Sequence, residues 1–229
     1  MEQPIDVSLE AGGARVFACA LDWPGWCRSG KTDDGALAAL VDYGPRYAAA
    51  IGPEEGFTPP SSVDELKVVE RLKGGGGTDF GIPSHEAAAD QRPVDEGELD
   101  RLGRLLSAGW AAFDSAAARA AGHELRKGPR GGGRDLGKIV HHVLEAEEAY
   151  LRSIGGSTRS AGSAELEVAS RMDVVRNLAM ETMSDRARGV PLPDNARRAR
   201  TIWTVRYFAR RSAWHALDHA WEIEDRVGP

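Results

Sequence analysis

Four segments in the second half of this chain carry apolar residues at helical spacing. Each runs for about five turns or more and ends at a polar, Gly- or Pro-rich break. Residues 95–122 place Leu99, Leu102, Leu105, Leu106, Trp110 and Phe113 on one face, and "GPRGGGR" follows. Residues 135–154 form a second amphipathic stretch with Asp135 in a capping position, closed by "GGSTRSAGS". Residues 164–187 repeat the pattern through Leu166, Met172, Val175, Leu178, Met180 and Met183, up to "GVPLPDNA". The last stretch covers 197–226. An amphipathic helix must bury its stripe against another element, so four in succession predict a four-helix bundle and a mainly α chain.

The first half reads differently. "IDVSLE" and "ARVFACAL" alternate like strands around "AGG", which is a hairpin signal. "DWPGWCRSGKT" is read as a loop. Thr32 is placed to cap a helix over "DDGALAALVDYGPRYAAAI", which Pro45 should end or kink. "ELKVVERL" is a further short strand, and "KGGGGTDFGIPSHEAAADQRP" is read as flexible. The expected organisation is a small α/β domain over 1–85, a linker over 86–94 and a helical bundle over 95–229.

Composition narrows the function classes. A net charge of -6 disfavours a general nucleic-acid binder. The segment "MEQPIDVSLEAGG" lacks the basic start and apolar core of a signal peptide, and no stretch reaches the length of a membrane span. The expectation is a cytoplasmic protein, without membrane or nucleic-acid partners, in which Cys19 and Cys27 could pair but are read as reduced thiols.

Six histidines remain to be explained. His215 and His219, in "RRSAWHALDHAWEIEDR", stand at i and i+4 and so project from one helical face. Two such imidazoles can share one metal ion without disturbing the backbone, with a third ligand supplied by another helix. "VHHVLEAEEAY" offers His141 and His142. With Leu136 as phase origin, His142 lies at the Ile139 and Ala146 edge of the apolar face. His141 lies on the polar flank beside Glu145 and Glu148, so His142 is the preferred ligand. Glu147 projects from the middle of the apolar face. A carboxylate there must be paired or have its pKa raised, so it could orient a ligand, act as a base or pair with an arginine of the last helix. Glu222, three residues after His219, can reach back to that imidazole. Asp218 points away from the stripe, toward an exposed ion pair. The spacing alone is weak, because buried histidines often only satisfy backbone carbonyls.

The strings "LGKIVHHVLEAEEAYLRSIGG" and "RRSAWHALDHAWEIEDR" resemble the second and fourth helices of the DinB-like (YfiT-like) metalloenzymes. The resemblance covers about residues 95–229. It implies a left-handed four-helix bundle holding a divalent metal with His142, His215 and His219. It also implies chemistry on low-molecular-weight thiols such as mycothiol or bacillithiol, as isomerase or S-transferase. More weakly, "VFACALDWPGWCRSGKTDDGALAAL" is similar to HicB-like small α/β modules, read here as an accessory domain that covers the bundle's open end or mediates dimerisation.

Three neutral imidazoles leave coordination positions open, the pattern of a catalytic site, and suit zinc, nickel or iron(II) alike. The ion would activate a thiol or water, in a thiol S-transferase, isomerase or hydrolase, with Glu147 and Glu222 as candidate catalytic groups. Arg197, Arg198, Arg200, Arg206, Arg210 and Arg211 concentrate positive charge near the last helix, either to clamp an anionic substrate or to pair with acids elsewhere. Two rival readings stand beside the enzyme. One is a metal- or ligand-binding protein without turnover. The other is a homodimer or partner module built on the stripe of Trp203, Trp214 and Trp221 with Tyr207.

Overall fold

The computed structural model describes residues 3–127, 133–158, 166–192 and 202–227. Among these the chain is mainly α, with seven α-helices and one small mixed sheet. The hairpin strands are β1 (Ile5–Ala11) and β2 (Val16–Ala20), paired antiparallel from Val7 opposite Ala20 to Ala11 opposite Val16. Asp79 fixes their turn by accepting from the Gly13 and Ala14 amides at 3.1 and 2.7 Å. A strand the sequence reading missed, β3 (Cys27–Gly30), pairs with β2 inside the segment taken as a loop. β4 (Leu66–Lys73) joins β1 in parallel, giving the order β3-β2-β1-β4.

Two further expectations are corrected here. Cys19 and Cys27 face each other across β2 and β3 and are joined as a disulfide, so they are not the free thiols expected. Strand pairing sets two cysteines side by side, which spacing in the sequence did not reveal. The segment read as flexible is also built in. It holds the short helix α3 (Gly76–Phe80). The loop after it is tied down by the buried Glu10, which accepts from Thr78 Oγ1 and the Ser84 and His85 amides.

Between β3 and β4, the single helix expected over 33–51 is two helices, α1 (Asp33–Asp42) and α2 (Gly44–Ile51). Thr32 caps the first through the Gly35 amide, and Pro45 opens the second, where its missing N–H costs nothing. The expected linker 86–94 is anchored rather than slack. It contains a 3-10 turn, Ala88–Gln91, whose buried Asp90 pairs with Arg210, Nε to Oδ1 at 2.8 Å.

The four long helices are α4 (Glu96–Ala120), α5 (Leu136–Ser153), α6 (Val168–Ala187) and α7 (Val205–Arg226). Asp95, Asp135 and Thr204 cap α4, α5 and α7 by accepting from amides three residues on. The last helix starts later than the pattern suggested, and residues 197–201 lie outside the described residues. The helices share a core of Leu106, Phe113, Ile139, Val143, Leu151, Met172, Met183, Phe208 and Ile223. A second core joins Val7, Leu9, Trp26, Leu40 and Tyr47 to Leu105, Leu217 and Trp221, so the α/β layer packs directly on α4 and α7.

That double burial explains the composition of α7. Sixteen of its 22 residues are buried, because α4 and α5 cover one side and the sheet layer covers another. Small residues permit the approach. Gly25 sits at φ +94°, and a Cβ there would meet Leu217 at 2.7 Å and Ala213 at 3.2 Å. The tryptophan stripe is likewise consumed within the chain. Trp214 meets Phe17 edge-on and the disulfide, and Trp221 meets Tyr43. No helix among the described residues is long and apolar enough to cross a membrane.

Candidate metal centre

Helices α5 and α7 run antiparallel, and this register assembles the histidines. At one end the Trp203 amide donates to the Ser153 carbonyl at 2.8 Å. Further along, Tyr150 meets His215 with ring centroids 5.6 Å apart. At the far end His142 lies 5.2 Å from His215 and 5.1 Å from His219, ring to ring, and the α7 pair is separated by 4.6 Å. One donor atom from each of His142, His215 and His219 lies within 4.8 Å of the other two. His141 stands apart, exposed, 3.7 Å from Glu145. The side of the helix on which the phase places His142 is thus the side that meets the α7 pair.

Desolvation favours the neutral form of His142 and His215. His215 is buried, and desolvation holds its pKa well below the ordinary value, with His219 and Arg211 adding repulsion. His142 is lowered for the same leading reason, followed by Arg134. Neutral imidazole is the form that ligates a metal. His219 Nδ1 lies 2.8 Å from Glu222 Oε2. An ionised carboxylate only accepts, so Nδ1 is the donor, and Nε2 is the nitrogen that remains to bind an ion. Glu222 is itself held below the usual carboxylate range, first by this hydrogen bond and further by Arg226, whose Nη1 donates to Oε1 at 2.6 Å.

A buried polar atom supplies the test of fit. His215 Nδ1 is shielded from solvent and has no hydrogen-bond partner. An unmade hydrogen bond of this kind costs about 1–3 kcal/mol. With three imidazole nitrogens within 4.8 Å of one another, that orphaned atom is compatible with a metal-binding site. The donor set suits zinc, nickel or iron(II) and does not select among them.

No protein-family model, curated protein or solved structure matches the chain. The reading of this centre therefore rests on its geometry.

Glu147 is correctly read as a buried carboxylate in need of a partner, but the partner is not on the last helix. Arg176 of α6 grips it with two N–H groups at 3.1 and 3.2 Å and reaches Asp114 of α4 at 2.7 Å. Burial pushes Glu147 up to about 7, with Arg176 opposing. With both oxygens engaged by Arg176, Glu147 braces three helices, and it is not placed among the catalytic groups. Glu148, assigned to the polar flank, is also buried and pairs with Arg171 at 2.6 Å. Asp218 pairs with Arg28 at 3.0 Å, but the pair is half-buried rather than exposed as expected.

The basic cluster separates by residue. Arg197, Arg198 and Arg200 lie outside the described residues. Arg206 pairs with Glu98 at 2.5 Å and Arg210 with Asp90, so both serve the fold. Among the described residues Arg211 has no carboxylate partner. Its guanidinium carbon sits 5.0 Å from the centre of Tyr150 and 4.5 Å from that of Trp214. The sequence reading did not single out Tyr150. Its position eight residues after His142 was the available signal, since i and i+8 share a helical stripe.

A cavity of about 850 Å³ opens elsewhere, lined by Leu99, Gly103, Arg104, Met180, Met183 and Arg188 among others. None of the three histidines borders it. Volume and chemistry point to different places, and the imidazole cluster carries the stronger functional signal.

Proposed function

We propose that this chain is a divalent-metal-dependent enzyme of the DinB-like class, acting on a thiol or on water at His142, His215 and His219. The observation that carries this reading is the convergence of three imidazole donors within 4.8 Å, two of them with lowered pKa values. The four long helices, with one ligand on α5 and two on α7, match what the sequence resemblance implies for that class. A bound ion would lower the pKa of a coordinated water or thiol toward neutrality.

The chain's own residues have defined parts in this scheme. His142, His215 and His219 hold the ion from two antiparallel helices. Glu222 keeps His219 in the tautomer whose Nε2 is the ligand, and Arg226 keeps Glu222 ionised. Trp203, Tyr150 and Trp214 line the neighbouring helix face with aromatic surface that excludes water. The substrate on this reading is a small molecule, with low-molecular-weight thiols as the first class to try.

The test is metal analysis of protein purified without a histidine tag, followed by turnover on a thiol panel. The expected result is one ion per chain in the wild type and its loss in His215→Ala and His219→Ala. Wild-type metal content in both variants would show the assignment to be wrong.

A further inference from the structure

Three arginines are buried among the described residues: Arg176, Arg210 and Arg211. The first two are neutralised by carboxylates, Arg176 by Glu147 and Asp114 and Arg210 by Asp90. Arg211 is 7% exposed and hydrogen-bonds Tyr150, but among the described residues it has no ion pair, and its Nη1 is shielded with no hydrogen-bond partner. An uncompensated buried charge is costly, and an anion bound beside it would offset that cost. Nearby Glu10 does not fill this need, because Thr78, Ser84 and His85 already occupy its carboxylate.

Position gives the charge a meaning. Arg211 precedes His215 by one helical turn, as His215 precedes His219, so all three share one stripe of α7. Tyr150 of α5 touches both Arg211 and His215, bridging the guanidinium and the histidine cluster. The guanidinium is held against Tyr150, to which it also donates a hydrogen bond, and over the face of Trp214, which leaves Nη1 without a partner. A carboxylate oxygen can accept from that group in a charge-assisted hydrogen bond. A cavity bordered by Arg211 on the side of Cys19, Cys27 and Tyr207 is only about 20 Å³, room for a water and nothing larger.

We propose that Arg211, with Tyr150 and Trp214, forms a carboxylate-binding subsite one helical turn from the three histidines, so that the enzyme's substrate is a carboxylate-bearing thiol or ester. The spacing of about 5–6 Å between side chains one turn apart sets the length between the reacting atom and the carboxylate. This deepens the metal-enzyme reading and rests on it for the identity of the reacting group, but not for the anion.

The experiment uses the cobalt(II)-loaded full chain and compares 3-mercaptopropionate with its neutral amide, 3-mercaptopropionamide, by thiolate-to-cobalt absorption. Wild type should prefer the acid by about tenfold or more, as for a hydrogen-bonded charge pair. Arg211→Gln should abolish the preference while keeping one cobalt per chain. Arg211→Lys, which keeps the charge but not the fork, should retain part of it and covers the case in which the Gln variant does not fold. No preference in the wild type, or an undiminished one in both variants, overturns the subsite. If no cobalt binds, the metal reading fails by itself. The subsite is then read in the metal-free protein by titrating propionate against tryptophan fluorescence. A response lost in the Arg211 variants supports the subsite, and no response overturns it.

Discussion

His219 Nδ1 and Glu222 Oε2 are 2.8 Å apart, and the other oxygen of that carboxylate is 2.6 Å from Arg226 Nη1. Three residues of one helical stripe thus form a relay in which a cation holds an anion and the anion orients an imidazole.

Glu222→Gln tests that relay. The amide can accept from Nδ1–H but supplies no negative charge, so the ligand becomes less basic. Metal affinity should fall by about 10–100-fold, as for other carboxylates that support ligating histidines. Competition with a chromophoric chelator measures it. Unchanged affinity would mean that the Glu222 contact is structural only.

Acid stability of the metal-free protein follows from the buried imidazoles. The pKa of His215 is lowered on folding, so the unfolded chain takes up a proton first as pH falls. The stability contribution is complete above the unfolded value of about 6.5 and is lost as pH falls below it. Urea midpoints should therefore drop between about pH 7.5 and pH 5.5, and the drop should be shallower in His215→Gln. An identical slope in the variant would contradict the assigned neutrality. Glu222, whose folded pKa is lowered, contributes in a more acidic window and is separable from this effect.

Arg176→Met isolates the brace between α4, α5 and α6. Removing the cation leaves Glu147 buried and uncompensated, and the loss should be about 3–5 kcal/mol at pH 8. Glu147 is pushed up already in the native protein, and losing Arg176 raises it further. A raised carboxylate pKa makes the folded state the stronger proton acceptor, so stability is greater at low pH and is lost as pH rises. The deficit of the variant should therefore shrink toward pH 5. Chemical denaturation at the two pH values checks both the size and the sign.

Gly25→Ala and Leu217→Ala probe the joint between the sheet layer and α7. The first forces a side chain into a positive φ and against Leu217 and Ala213. The second empties a fully buried site and should cost about 2–5 kcal/mol. Because the second core crosses the joint, both variants should lower a single cooperative unfolding transition. Two separate transitions, with only one shifted, would show that the α/β layer folds independently.

Much of this protein was determined by periodicity. A 3.6-residue repeat fixes which side chains share a helix face, so His142 over His141, the His215–His219 pair and the reach of Glu222 could all be read from the chain. The same repeat made Glu147 conspicuous. Periodicity stops at the surface of one element. The Glu147–Arg176 pair links helices 29 residues apart in sequence, and the Cys19–Cys27 bridge depends on a strand too short to show alternation. Arg210 and Arg211 are adjacent and look alike as letters. Only packing decides that one meets Asp90 while the other is left over Tyr150 and Trp214 without a counter-charge among the described residues. Burial and partnership are properties of the space between elements, and local sequence carries no record of what lies across that space.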